Sequence, residues 1–123
     1  IILRMLDVQG ASNAEVAEKG CGALYNFICS TGNSERNVDN QNLIVDAGGI
    51  DLILRVMEEH GESNAGVAEE GCGVLWILAD NNANNKSKIL TANGVSMVER
   101  MKSTWVNNPG VQTYANKALA SLC

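Results

Sequence analysis

The stretch SNAEVAEKGCGAL at residues 12–24 returns almost unchanged as SNAGVAEEGCGVL at residues 63–75. A shift of 51 positions lays residues 1–27 on residues 52–78 with 14 identities. Matches at offsets of 45 and 44 continue the pattern, so the unit is about 44 residues long with six extra residues after its first copy. A period in the forties is typical of stacked helical units, because one such unit is too small to bury its own apolar face.

The spacing of apolar residues predicts helices inside each unit. In residues 64–79, Val67, Gly71, Leu75 and Leu78 recur at helical intervals on one face. Residues 50–60 repeat this pattern, and residues 41–47 predict a short helix that ends sharply at the glycine pair 48–49. No window shows sustained strand alternation. We therefore expect an all-α chain in which each unit is a short helix, a second helix and a long third helix.

These residues resemble the armadillo repeat. The pattern N-x-x-x-I-x-x-A-G-G-I starting at Asn40, followed by V-x-x-x-G-C-x-x-L-x-x-L starting at Val67, carries the resemblance. HEAT-type repeats are the neighbouring alternative, but the short first helix and the glycine turn favour armadillo. The resemblance implies a right-handed α-solenoid and a single domain, 1–123, that is a fragment of a longer array. Residues 1–29 are the last two helices of one repeat, and residues 40–79 and 85–123 are two complete three-helix repeats. Residues 30–39 are a polar insertion that we predict to be a loop.

In the armadillo family the third helices line a concave face that binds extended peptides or partner domains. The positions that often carry tryptophan in that family hold Gly22, Gly73 and Lys117 here, and the asparagine positions hold Asn26, Ile77 and Ser121. Only Asn26 keeps the family's pattern, so the resemblance does not predict a nuclear-import receptor. It does predict these six positions as part of a partner-binding face.

Tyr25 and Trp76 occupy equivalent positions, 51 residues apart and three residues after Gly22 and Gly73. On a helix, an aromatic ring three residues from a glycine lies about 60° from it. The sequence therefore predicts a glycine gap beside an aromatic wall in two adjacent repeats, which is the character of a binding hot spot. The alternative interpretation is that each ring only packs on the neighbouring third helix.

Composition argues against several classes of function. The net charge is −5, whereas binding to a nucleic-acid backbone needs clustered Lys and Arg. The apolar runs are too short for membrane insertion. His60 is the single histidine, the four cysteines form no CxxC pair, and no nucleophile, phosphate-loop or metalloprotease motif is present. We expect reduced, mostly buried cysteines, an intracellular location in the cytoplasm or nucleus, no catalytic residue, no metal and no cofactor.

Two functional hypotheses remain. The first is a non-catalytic scaffold that binds a protein or peptide along the third helices. The second is a structural segment that stacks on the rest of a solenoid or on another copy of the chain. Apolar residues near both ends predict weak self-association: Ile1, Ile2, Leu3, Leu6, Leu119, Leu122 and Cys123.

Overall fold

A computed structural model describes residues 2–5, 13–29 and 34–123, with the backbone alone for residues 2, 5 and 34–36. The described residues form helices and no strand, which confirms the all-α prediction. The helices are α1 (Ile2–Met5), α2 (Ala14–Cys29), α3 (Ser34–Asp46), α4 (Gly49–His60), α5 (Ala65–Ala79), α6 (Ala83–Thr91), α7 (Gly94–Thr104) and α8 (Pro109–Leu122).

Three equivalent helices, α2, α5 and α8, form what we call the third-helix row. Each begins after an asparagine: Asn13, Asn64 and Asn108. The side-chain oxygen of each accepts a hydrogen bond from the backbone N–H three residues on, at 3.1, 3.0 and 3.0 Å respectively. Asparagine is a strong N-cap because it satisfies one of the unpaired N–H groups of the first turn. The recurring asparagine therefore fixes where each long helix starts.

Helix α5 lies in the middle of this row and packs against α2 on one side and α8 on the other. On a third side it packs on α4, where Gly71 makes close approach possible. A Cβ at Gly71 would lie 2.6 Å from Cγ and 2.7 Å from Sδ of Met57, which is itself fully buried. The expected structural role of this glycine, to let a neighbouring helix approach, is therefore confirmed.

The turn between the first and second helix of a unit depends on residues that tolerate a left-handed backbone. Gly48 has φ of 85°, and its equivalent Asn93 has φ of 65°. Glycine and asparagine adopt this conformation most readily. The next residue, Gly49 or Gly94, must also be glycine-sized, because a Cβ would collide with the isoleucine of the preceding short helix.

Asparagine side-chain amides hold each first helix to the third helix before it. The Asn40 amide donates to the carbonyl of Phe27 at 3.0 Å, and the Asn85 amide donates to the carbonyl of Leu78 at 3.0 Å. These two contacts are equivalent in the repeat. Asn85 is only 2% exposed, so its amide would be costly to bury without this partner.

Successive third helices also share a contact between a carboxylate and a glycine. The Glu18 carboxylate occupies the space that a Cβ would need at Gly66, and the Glu69 carboxylate does the same at Gly110. Gly66 and Gly110 are second in their helices, where the dipole favours an anion. Glu18 and Glu69 are 51 residues apart, so the same contact occurs at both junctions of the row.

The prediction of a loop over 30–39 is wrong for its second half, because α3 begins at Ser34 and runs to Asp46. Residues 30–33 lie outside the described part of the chain. The segment SERNVDN at residues 34–40 has a single large apolar residue, Val38, so it shows no apolar stripe in the sequence. This segment continues the helix that follows it, and that helix is anchored in the core by buried Gln41 and Ile44.

The expectation of apolar residues exposed near the ends is wrong for Leu122, which is 2% exposed and belongs to the core. Leu3 and Leu119 are partly buried against the core, and Cys123 is exposed. Ile1, Leu6 and the side chain of Ile2 lie outside the described part. Leu122 is buried because the helical period places it on the same face of α8 as Val111, Ala115 and Ala118.

The close approach at Gly71 predicts a stability change. Gly71→Leu forces Met57 and its neighbours to move in a filled core, and overpacking of this kind costs about 1–3 kcal/mol of unfolding free energy. Urea unfolding followed by circular dichroism measures the loss. Gly22→Ala is the matched control, because a Cβ there meets only the Glu70 carboxylate at an ordinary 3.5 Å. An unchanged melting temperature for Gly71→Leu would contradict this role of the glycine.

Two neighbouring asparagines, Asn107 and Asn108, allow a test of the N-cap at the start of α8. Asn108→Ala removes the side-chain acceptor at the start of α8 and should cost about 0.5–2 kcal/mol of unfolding free energy. Asn107→Ala changes the exposed residue beside it, which has no capping bond, and should leave stability within about 0.5 kcal/mol. Equal losses in the two variants, measured by urea unfolding, would count against the capping role.

Candidate functional site

Three aromatic rings, one from each helix of the third-helix row, form a cluster that we call the aromatic trio: Tyr25 on α2, Trp76 on α5 and Tyr114 on α8. The ring centroids are 6.1 Å apart for Tyr25 and Trp76, 6.0 Å for the two tyrosines, and 6.1 Å for Trp76 and Tyr114. These distances and tilted or edge-to-face angles are favourable for aromatic pairs. All three rings are half-buried, so the trio connects the three helices and still meets solvent.

Gly73 lies between the two tyrosines. A Cβ on Gly73 would be 3.4 Å from Cδ1 of Tyr114 and 3.6 Å from Cδ2 of Tyr25. Gly22 has a different neighbour, since its Cβ would lie 3.5 Å from Oε2 of Glu70. The glycine gap predicted beside the rings is thus present at Gly73 and filled by the tyrosines themselves.

Lys117 places its ammonium group over this cluster. Nζ lies 4.6 Å from the ring centroid of Trp76 and 5.8 Å from that of Tyr114. Both distances are within the range of a cation–π interaction, which is attractive because the face of an aromatic ring carries negative charge density. The side chain is otherwise exposed. Lys117, one of the predicted site residues, therefore lies against the trio with its ammonium group over the ring faces.

Acidic side chains lie on the Tyr25 side of the trio. Burial raises the pKa of Glu70, and the neighbouring carboxylates Glu69 and Glu18 raise that pKa further. Burial also raises the pKa of Tyr25 to about 12, with smaller contributions that include Tyr114 and Glu70. The raised pKa of Glu70 thus comes first from burial, and the two neighbouring carboxylates add to it.

The other predicted positions lie around the trio but do not join it. Asn26 is exposed on α2, and Ser121 is partly exposed on α8. Within the described part of the chain, no side-chain hydrogen bond joins either residue to the rings. Ile77 packs partly against the core, and its carbonyl accepts a 2.6 Å hydrogen bond from Gln41. Of the predicted site residues, the structure therefore brings together Tyr25, Trp76, Lys117 and Gly73.

Tyr114 is the site residue that the sequence interpretation missed. Its repeat equivalent is Glu70, not Trp76, so alignment of the repeats does not mark it as part of an aromatic ladder. The available signal was helical spacing. Tyr114, Lys117 and Ser121 follow each other at three and four residues and therefore share one face of α8.

The described residues offer few candidates for a nucleophile or a metal ligand. Cys21 and Cys72 are buried free thiols, as expected, and burial raises the pKa of each to about 12, which makes both poor nucleophiles. The described residues contain no group of three or more His, Cys, Asp or Glu side chains placed to hold a metal ion. Nor do they contain a helix long and apolar enough to cross a membrane.

Comparison with known proteins gives a distant and partial relative, protein aardvark of Dictyostelium discoideum. The two are 31% identical over 92 residues, which cover 68% of this chain and 12% of aardvark. The chain thus spans a small fraction of the length of the curated relative it matches. No family model and no solved structure matches the chain. Together with the all-helical fold, the likeness is consistent with a helical repeat protein.

Glu70 gives a prediction for the pH dependence of stability. Because its pKa is raised on folding, the folded chain binds this proton more tightly than the unfolded chain does. The resulting stabilisation is present at low pH and is lost as the pH rises through the raised pKa. Glu70→Gln keeps the shape and removes the charge, so it should be more stable than wild type at pH 7.

Repeating the urea unfolding at lower pH provides the control. The advantage of Glu70→Gln in urea unfolding should shrink as the pH falls toward about 4, where the carboxyl group of the wild type is also neutral. An advantage of equal size at both pH values would show that packing, and not charge, is responsible.

Proposed function

We propose that this chain is a segment of an armadillo-type α-solenoid and acts as a non-catalytic scaffold. In this proposal it binds an extended peptide or protein segment along a concave face lined by α2, α5 and α8. It needs no cofactor and acts inside the cell, in the cytoplasm or nucleus. The observation that carries the proposal is the aromatic trio, which combines one half-buried ring from each of three successive third helices.

The armadillo assignment draws on two kinds of support. The order of helices α3–α4–α5 and α6–α7–α8 follows the repeat, and each third helix starts at an equivalent asparagine cap. The distant relative aardvark is itself an armadillo-repeat protein. The free state of all four cysteines suits a reducing, intracellular environment.

A binding role agrees with the character of the trio. Tryptophan and tyrosine are enriched at the centres of interfaces because they combine a large apolar surface with a polar group and lose little side-chain freedom. The rings of Tyr25, Trp76 and Tyr114 are held by neighbouring helices, so a partner would meet a surface that is largely formed in advance.

The alternative is a structural segment without a ligand groove. It is favoured by the contacts between the rings themselves, which join adjacent third helices whether or not a partner is present. Polar contacts between repeats point the same way: the Trp105 indole donates to the carbonyl of Gly61 at 2.7 Å, and Arg100 pairs with Glu58 at 2.6 Å. The two hypotheses differ in one expected result. If the chain is a scaffold, removal of the rings abolishes binding of the partner while the fold remains.

A peptide-display selection tests the scaffold proposal. Peptides are selected on the wild-type chain, and their dissociation constants are then measured by calorimetry on the wild type and on a Tyr25→Ala, Trp76→Ala double variant. We expect a loss of at least tenfold in affinity, because two truncated hot-spot rings commonly cost more than 1 kcal/mol each. Circular dichroism must show that the double variant keeps its helicity.

The control is a Leu43→Ala, Val106→Ala double variant. These two apolar side chains are 62% and 65% exposed, and neither belongs to the trio. Their removal should leave the affinity of the selected peptides unchanged. If no peptide is selected, or if both double variants bind equally well, the rings are packing residues and the structural interpretation replaces the scaffold.

A further inference from the structure

An open cavity of about 410 Å³ lies between α1 and α4, and no residue of the aromatic trio lines it. Half-buried Leu3 and buried Leu52 give it an apolar wall, and the turn at Gly48 forms another side. Two arginines, Arg4 on α1 and Arg55 on α4, also line it. A cavity of this size holds a small organic molecule, and this one offers two guanidinium groups to such a ligand.

The repeat itself shows what an arginine at this position binds. Arg4, Arg55 and Arg100 are equivalent, at spacings of 51 and 45 residues. The guanidinium of Arg100 lies between two carboxylates, with Nη2 2.6 Å from Glu58 and Nε 2.8 Å from Glu62. Among the residues that the structure describes, Arg4 has no carboxylate within ion-pair distance. The contacts of Arg100 are therefore an internal example of oxyanion binding at a position that faces a cavity elsewhere.

Positive charge exceeds negative charge around this cavity. Asp51 is the acidic residue among the described residues that line it. Asp51 also borders an adjoining hollow of about 200 Å³, together with Lys88. Glu58 and Glu59 lie one turn or more further along α4 and do not line the cavity. One carboxylate thus faces two arginines and a lysine, in a chain whose net charge is −5.

We propose that the cavity binds a small phosphate monoester whose organic part carries hydroxyl groups. A phosphate monoester carries about −1.5 to −2 charges near pH 7 and has three strong acceptor oxygens, so two guanidinium groups can hold it together. Asp51 accepts a hydrogen bond from a hydroxyl group of the ligand, whereas it repels a second anionic group. Leu3 and Leu52 contact the carbon atoms of the ligand. This inference is independent of the proposed function, which concerns the third-helix row.

A phosphoserine side chain offers the same phosphate group without a free hydroxyl. Nuclear magnetic resonance of the 123-residue chain separates the two sources. The probes are glycerol 2-phosphate, N-acetyl-phosphoserine amide and inorganic phosphate, each titrated at the same ionic strength. The backbone N–H signals of Gly48 and Leu52 report on the cavity and should saturate with glycerol 2-phosphate at the lowest concentration of the three.

Three variants separate a site from general attraction. Arg4→Gln removes one guanidinium from an exposed position and should weaken the binding of glycerol 2-phosphate about tenfold, the contribution of a hydrogen bond to a charged group. Asp51→Asn should reduce the preference for glycerol 2-phosphate over inorganic phosphate. Lys19→Gln is the matched control, because it removes the same charge from an exposed lysine that pairs with Glu15 outside the cavity. Its affinity should equal that of the wild type.

The inference is overturned if Arg4→Gln and Lys19→Gln weaken binding equally, or if the signals of Gly48 and Leu52 do not respond to glycerol 2-phosphate. Tighter binding of the phosphoserine amide or of inorganic phosphate would refute the hydroxylated ligand.

An internal occupant is the remaining alternative. Asp7 is the repeat equivalent of Glu58 and lies outside the described part of the chain. If Asp7→Asn binds glycerol 2-phosphate and the wild type does not, the chain's own carboxylate occupies the arginines, and the inference is overturned as well. Equal binding by Asp7→Asn and the wild type is the expected result.

Discussion

The packing of α5 between α2 and α8 makes the strictest demand on this sequence, because two long helices must approach closely on opposite sides of a third. The demand is met by small residues on α5. Ala68 and Cys72 are fully buried, and Gly73 leaves only enough room for Tyr25 and Tyr114 to meet beside it. A larger side chain at Gly73 would separate the two tyrosines. The site on the surface thus depends on the same close approach that forms the core.

Close approach alone does not set how far one helix slides along the next. The contacts of Glu18 with Gly66 and of Glu69 with Gly110 accompany this register, because each carboxylate lies in the space beside a glycine at the second helical position. Tyr25 and Trp76 come from equivalent turns of α2 and α5, and Tyr114 comes from an earlier turn of α8. A slip of one turn between neighbouring helices would move these rings apart by about 5.4 Å. Register is therefore a condition for the trio.

The repeat predicted the all-α character from sequence because the same small and apolar residues recur at fixed offsets, and Gly48 could be recognised as a turn. The helix over 34–40 could not be predicted in this way, since its polar sequence has no stripe and its helicity depends on the buried residues that follow. Within the site, Trp76 was predicted from its repeat equivalent. Tyr114 was not, because it reaches the cluster from another repeat position. The contact of Lys117 with the rings depends on a rotamer, which no sequence pattern specifies.

The trio is stable without a ligand. Its rings pair with one another, and Lys117 covers part of the faces of Trp76 and Tyr114, so the rings are only partly open to water in the free chain. A ligand gains only the difference between its own contacts and the contacts that it displaces. Under the proposed function, the affinity of such a face for a ligand is limited, because each new contact with a ring replaces a contact that the free chain already makes.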